Sequence, residues 1–554
     1  VGAITTAVSQ NGMKYFLSTP SMIDTIKNCL AGQTINHDKI SNLNIPVGLT
    51  TSIVDMEINM YNGTTSSVSV VWDNSAFTQS DNGKFSLGFT ASFDVKYEKW
   101  HEEGTRLKTT TSIPVKTPFD QDCKDQFHFH VDLEYHIDLV LSISDGNFVF
   151  QVKKVTQQDI EESDIHIPDD SEISGIEDTS FLKDIRDNIN KHFVDEIDFS
   201  SAVKSALNPK LASIPNSGHL TDNIIFFFAP DQIAFPKDGD GNYYTQSSVS
   251  GQVTYKGQPY PGELPSVPPM PDNIPDKHVH LNVTDYVFNG LFWGFYNDGL
   301  LELEVVKSML ADPQELNTNY YRDTFPPIYK FAPNCDMTVD VAAIQAPAQQ
   351  NQAAYEITDT TIQNLTGKVP DDVLKTLAAD MEGLIYIDID DFNSDLNTYL
   401  GADNFKLYGN LIDIQAQTIA SVVRHSMSFD VYALMPDSGG NTQKTFMFEC
   451  NVSQTDYLND YVLGNQADVQ TLKFYFNLHD ANATLVKSNV PGLTTQYDFN
   501  MLWSFIIRPE MAKTIQKMGD NGVPLPSVKG FLFENATVDL FEGYTSIASD
   551  INIG

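Results

Sequence analysis

Phe85-Ser86-Leu87-Gly88-Phe89-Thr90-Ala91-Ser92-Phe93-Asp94-Val95-Lys96-Tyr97 alternates apolar and polar side chains without a break. Successive side chains of an extended chain point to opposite faces, so this run predicts one long strand with a dry face and a wet face. Phe127 to Ile143 repeats the pattern through Phe129, Val131, Leu133, Tyr135, Ile137, Leu139 and Leu141. Asp145-Gly146-Asn147 then turns the chain back into Phe148, Phe150 and Val152. Strands this long exceed the usual five or six residues and predict a large, strongly curved antiparallel sheet.

Helical spacing flanks the alternating region. Asn11 to Ala31 sets Phe16, Met22, Ile23, Ile26 and Leu30 on one face, with Pro20 kinking or restarting the helix. Asp178 to Leu207 places Phe181, Leu182, Ile185, Ile189, Phe193 and Ile197 on one stripe, closed by Pro209. Seven prolines between Pro259 and Pro275 then fix an extended connector. Beyond it the order recurs. Thr284 caps a helix carrying Val287, Phe288, Leu291, Phe292 and Phe295, strand-like stretches fill residues 300 to 490, and a late helix carries Met501, Leu502, Phe505 and Ile506. A last alternating strand is expected from Phe531 to Ile547. Both halves read as short helix, long sheet, long helix, an α+β pseudo-repeat.

At 554 residues the chain exceeds what one core organises, and two to four domains are expected. Acidic residues number 73 against 34 basic ones, a net charge of −39, which argues against nucleic acid or an anionic membrane surface as the main partner. The sequence starts at Val1 rather than Met, so a leader is expected to have been removed, and the longest apolar run, Ile224 to Phe228, ends at Pro230 and Asp231, too short to span a bilayer. Cys29, Cys123, Cys335 and Cys450 allow three pairings, and none stands in a Cys-x-x-Cys motif. Asn62, Asn282, Asn364, Asn451, Asn482 and Asn535 are glycosylation candidates.

Candidate chemistry is sparse. His128, His130, Asp132, Glu134, His136 and Asp138 share the polar face of one strand, where two histidines could hold a metal only with a third ligand from elsewhere. A solvated strand face accounts for them. Asp238-Gly239-Asp240-Gly241-Asn242 starts like a calcium loop, but Tyr243 replaces the glycine and Val249 the closing glutamate, leaving a turn. Asp437-Ser438-Gly439-Gly440 also reads as a turn, and Asp388, Asp390 and Asp391 as the wet side of a strand. No phosphate-cradling glycine loop and no Gly-x-Ser-x-Gly elbow occurs. No catalytic residue, metal or cofactor is expected. The apolar surplus of Val287 to Tyr296 remains, either as plain core or as the wall of a dry pocket for a lipid.

The second half resembles the family of bactericidal permeability-increasing protein, lipopolysaccharide-binding protein and the plasma lipid-transfer proteins. The residues that carry this are the Pro-rich linker, Val279-His280-Leu281-Asn282-Val283-Thr284-Asp285-Tyr286-Val287-Phe288-Asn289, Asn297-Asp298-Gly299-Leu300-Leu301, and Phe331-Ala332-Pro333-Asn334 with Met337. Ala346-Pro347, Lys487-Ser488-Asn489-Val490, Gly522-Val523-Pro524-Leu525-Pro526 and the final strand continue it. The first half matches more loosely, through Asn11-Gly12-Met13, His128-Phe129-His130 and the helix ending near Pro209.

The resemblance implies a boomerang of two barrels, each a twisted antiparallel sheet wrapped around a long helix plus a shorter one, joined by a central sheet. The expected organisation is residues 1–225 for the first barrel, 226–278 for central-sheet segment and linker, and 279–554 for the second barrel. It implies apolar pockets holding phospholipid or fatty-acyl ligand, lined by Phe16, Met22, Ile26, Ile185, Ile189 and Phe193 in the first barrel. In the second, the lining would be Val287, Phe288, Leu291, Phe292, Phe295, Leu502 and Phe505. It further implies secretion, to the extracellular space or a secretory-vesicle lumen, and transient contact with membranes or lipoproteins. Family members tie a strand cysteine to one on the long first-half helix; residues 178 to 210 hold none, so the implied pairing becomes Cys123 with Cys29 and Cys335 with Cys450. The net charge separates this chain from the cationic, endotoxin-neutralising members. The rival reading is an extracellular structural or assembly glycoprotein that uses the same fold without lipid transfer and binds a protein partner.

Overall fold

In the computed structural model the quoted run is a single strand, Lys84–Tyr97, and its seven apolar side chains are all 4% exposed or less. The structure describes residues 2–48, 51–97, 99–108, 115–123, 127–158, 160–167, 179–195, 199–266, 277–310, 312–356, 386–388, 417–466, 469–493, 523–524 and 531–553, with the isolated positions 270, 371, 372 and 513. Lys84–Tyr97 pairs antiparallel with Phe127–Ser144, setting Phe89 opposite Tyr135 with their rings stacked at 5.1 Å. Asn147–Gln157 closes the predicted hairpin. These strands belong to an eight-stranded sheet that also contains the 29-residue strand Thr51–Gln79.

Four helices share the core of this sheet. The first pair is α1, Gln10–Leu17, and α2, Pro20–Leu30. Pro20 restarts the helix because the first helical turn needs no intrahelical amide bond there. The expected single helix from Asp178 to Leu207 is instead two, α3 over Thr179–Asp195 and α4 over Phe199–Ala212. Pro209 lies inside α4 rather than ending it. Proline removes only its own amide bond, and packing of Val203, Leu207 and Leu211 into the core carries the helix onward.

A six-stranded sheet gathers distant parts of the chain in the order Pro230–Ala234, Thr245–Val249, Ile4–Val8, Val279–Thr284, Tyr544–Ile553 and Phe531–Phe541. The last two strands correct the expectation of one strand from Phe531 to Ile547. The chain reverses at Glu542-Gly543, and Gly543 takes φ 79°, the left-handed conformation a tight turn requires. Beside this sheet, α5, Asp285–Asn297, packs on the four-stranded sheet that includes Ile224–Phe227 and Gln252–Tyr255. A second eight-stranded sheet, including Asp336–Ala343, Gln417–Pro436, Thr442–Gln466 and Val469–Ser488, builds the remaining half. The late helix carrying Met501, Leu502, Phe505 and Ile506 lies outside the described residues. No helix among the described residues is long and apolar enough to cross a membrane.

Two covalent expectations are corrected. Cys335 and Cys450 are free thiols. Asp336 stands opposite Leu434 and Leu434 opposite Lys444, so Cys450 lies six residues farther along its strand. At about 3.3 Å per residue this places the two cysteines about 20 Å apart, far beyond disulfide reach. The Cys29–Cys123 pairing involves a side chain, that of Cys123, outside the described residues. Asn282 is 0% exposed at the centre of the six-stranded sheet, which leaves no room for a glycan. Asn62 and Asn535 are exposed and Asn451 is half-buried, while Asn364 and the side chain of Asn482 lie outside the described residues.

Candidate functional site

One face of the six-stranded sheet does not meet the neighbouring helices and strands fully. Thr6 and Val8, Thr245, Ser247 and Val249, Val279 and Leu281, and Phe533 with Ile551 project from it into a cavity. The opposite wall is Met13 and Phe16 of α1, Leu141, Phe148 and Phe150 of the Phe127–Gln157 hairpin, and Leu211 with Ile214 at the end of α4. Phe228 and Pro230 complete the lining. Of these eighteen residues, three carry hydroxyls and none is charged.

The cavity measures about 140 Å³ counted over positions of water-sized centres. One water needs about 10–15 Å³ on that measure, so the space takes on the order of ten water-sized groups, or about 300 Å³ of molecular volume. That is the lower end of small-molecule pockets and matches a stretch of acyl chain rather than a whole lipid.

Local chemistry explains why the walls stay apart yet fixed. Ser9 caps α1, its Oγ accepting the Gly12 amide at 3.1 Å, while its own amide donates to the His278 carbonyl at 3.0 Å. Gly12 is required at this contact, since a Cβ there would lie 2.3 Å from the His278 oxygen. Tyr15 stacks on the His278 ring at 5.0 Å. At the other end, the Asn208 side chain accepts the Phe150 amide at 2.9 Å and donates to the Phe150 carbonyl at 3.1 Å, pairing with an edge strand as another strand would. Lys210 Nζ donates to the Thr19 hydroxyl at 3.3 Å and to that of Ser21, and burial lowers its pKa. These contacts pin α1 to His278, just before the strand Val279–Thr284, and α4 both to the edge strand and to the start of α2.

Of the residues expected to line pockets, Phe16 is on the cavity wall. Met22, Ile26, Ile185 and Ile189 are buried in the packed core of the first half, and the Phe193 side chain lies outside the described residues. Val287, Phe288, Leu291, Phe292 and Phe295 are buried in the apolar cluster around α5 and are not among the residues lining this cavity. They are buried where α5 meets the small sheet so closely that a Cβ on Gly294 would sit 3.1 Å from Ile224. Leu502 and Phe505 lie outside the described residues. The wall residues missed are chiefly short-strand positions from both ends of the chain, whose alternation over five residues gave no signal of its own.

The histidine strand keeps to its wet face. His130 Nδ1 is 2.9 Å from Asp94, on the adjacent strand, and His166 stands opposite His130. Among the described residues no group of three or more His, Cys, Asp or Glu is placed to hold a metal ion. Asp238 and Asp437 each accept two backbone amides within their own turns.

Two eight-stranded sheets and a six-stranded sheet that draws on both chain ends make up a fold shared with lipopolysaccharide binding protein. The crystal structure of lipopolysaccharide binding protein superposes on 100% of this chain and 99% of its own, with a TM-score of 0.55 and 11% sequence identity. The likeness is one of fold. Takeout 1 of Epiphyas postvittana aligns over 35% of this chain and 92% of its own at 12% identity, and its TM-score of 0.14 supports no argument. No protein-family model and no curated protein sequence matches the chain.

Proposed function

We propose that this chain is a lipid-binding protein that takes an acyl chain of phospholipid or a similar amphiphile into the cavity between α1, α4 and the six-stranded sheet. The observation that carries this is an uncharged, mostly apolar hollow walled by residues of two separate sheets. Each methylene moved from water into such a space contributes about 0.8 kcal/mol, so a chain filling on the order of ten positions gains several kcal/mol even after ordering costs. The fold shared with lipopolysaccharide binding protein supports the same reading. Transfer of the bound lipid between membranes or lipoproteins, outside the cell, is the use we assign to it, with Asn62 and Asn535 as exposed glycan acceptors.

The test is extraction of the purified protein with organic solvent and mass spectrometry of the extract. Lipid at a fixed molar ratio is expected, falling severalfold in Ile214→Trp, which pushes a large ring into the cavity from a half-buried position. Lipid-free protein that also fails to take up added phospholipid would return the chain to the assembly reading.

A further inference from the structure

The three hydroxyls of the cavity stand together on its sheet wall. Thr6 is opposite Ser247 and Val8 opposite Thr245, so Ser247 and Thr245 share one face of a strand about 7 Å apart. Ser247 is 3% exposed and Thr245 5%. Thr6 Oγ1 and Ser247 Oγ are 2.7 Å apart. Two hydroxyls joined by one hydrogen bond use one hydrogen and retain the other. Thr245 Oγ1 accepts the Gln79 amide at 3.2 Å and keeps its own hydrogen. The wall therefore offers two O–H donors inside an otherwise apolar space.

We propose that the cavity selects a neutral ligand oxygen, an ester carbonyl or an alcohol, which accepts from the hydroxyl row of Thr6, Thr245 and Ser247. This rests on the lipid reading of the cavity and specifies what part of the lipid enters it. A bare hydrocarbon leaves both donors unsatisfied in a dry site, which is costly. A phosphate or carboxylate at the same depth loses its hydration with no cationic side chain among the lining residues. A neutral acceptor meets neither penalty. The ester region or a terminal hydroxyl of the amphiphile thus reaches the sheet wall, and any charged group stays outside.

The experiment uses the full chain loaded with the neutral fluorophore N-phenyl-1-naphthylamine, displaced in turn by dodecane, 1-dodecanol and methyl dodecanoate. Thr245→Val and the double variant Thr6→Val with Ser247→Ala preserve side-chain size closely and each remove one donor, both hydroxyls of the pair going together because either one left alone keeps a hydrogen to donate. Each is expected to reduce the ester-to-alkane and alcohol-to-alkane affinity ratios about five- to tenfold, the worth of one hydrogen bond. Because the readout is a ratio within one variant, a general loss of folding or packing does not imitate it. Ratios unchanged in both variants overturn the selection and leave the lipid reading standing. Failure of all three compounds to displace the dye from the unmodified protein overturns the lipid reading and the selection together.

Discussion

Asp285→Asn is expected to make the protein more stable at neutral pH and to leave it unchanged in acid. Asp285 opens α5, where its Oδ2 accepts the Asn351 amide at 2.8 Å. Burial pushes its carboxyl up to about 6, and hydrogen bonds from the Asn351 amide and Gln349 side chain offset this only in part. The surroundings are a polar seam. Asn289 exchanges two hydrogen bonds with the Gln349 backbone, Gln349 donates to Asn351 and Ser421, and Asn351 donates to Thr545. The seam ties α5 to three strands of the second half.

Below the ordinary carboxyl value of 3.8 both folded and unfolded chains carry the proton, and the group contributes no difference. Between about 4 and about 6 the folded chain retains a proton that the unfolded chain has lost, so stability falls as pH rises through that window. Above about 6 the whole cost is in place. Two units at about 1.36 kcal/mol each give about 3 kcal/mol, and residual solvent contact of this half-buried residue reduces that to about 2 kcal/mol. Asparagine removes the charge and keeps an oxygen that accepts the Asn351 amide. Urea unfolding of both proteins at several values from about pH 4 to about pH 8 measures the difference, cancelling the effect of the −39 net charge that both share closely. The expected difference rises from near zero to about 2 kcal/mol across the window. A difference that stays flat with pH, or an asparagine variant less stable at pH 8, would refute the argument.

Three further outcomes follow from the site. Asn208→Ala strands the Phe150 amide and carbonyl at a sheet edge and should cost about 2 kcal/mol in urea unfolding, with faster hydrogen exchange at Phe150; no change there counts against the clamp. Phe150→Ala removes a ring that stands against Phe16 and Phe85, and should cost about 3 kcal/mol. It also widens the cavity, so bound-lipid profiles should move to longer or bulkier chains, and an unchanged profile would place the ligand elsewhere. Burial pushes the Cys450 thiol up to about 12, so it should resist thiol reagents until the chain is unfolded, and a non-reducing digest should yield no Cys335–Cys450 peptide.

The long alternations were legible because a strand with one wet face writes its geometry directly into the residue order. Phe85 to Tyr97 needed nothing beyond itself to declare which side chains would be buried. The restart at Pro20 and the turn at Asp145-Gly146-Asn147 were equally local. Pro209 was misread because packing outweighed a local helix breaker, and the Phe531 to Ile547 run because Gly543 reverses the chain within a continuous alternation.

The sequence by itself determined that long sheets with apolar faces would form and that the charge balance argues against polyanions as main partners, since periodicity and composition are properties of residues in order. Only the tertiary structure decided where a hollow would remain. Thr6, Ser247, Leu281 and Ile551 meet around one space because strands from positions 4, 245, 279 and 544 pair side by side, a juxtaposition no local pattern encodes. The same long-range packing buried the apolar face of α5 against the small sheet. Apolarity says that a side chain will leave water; whether it then meets another side chain or an empty space depends on how distant surfaces fit.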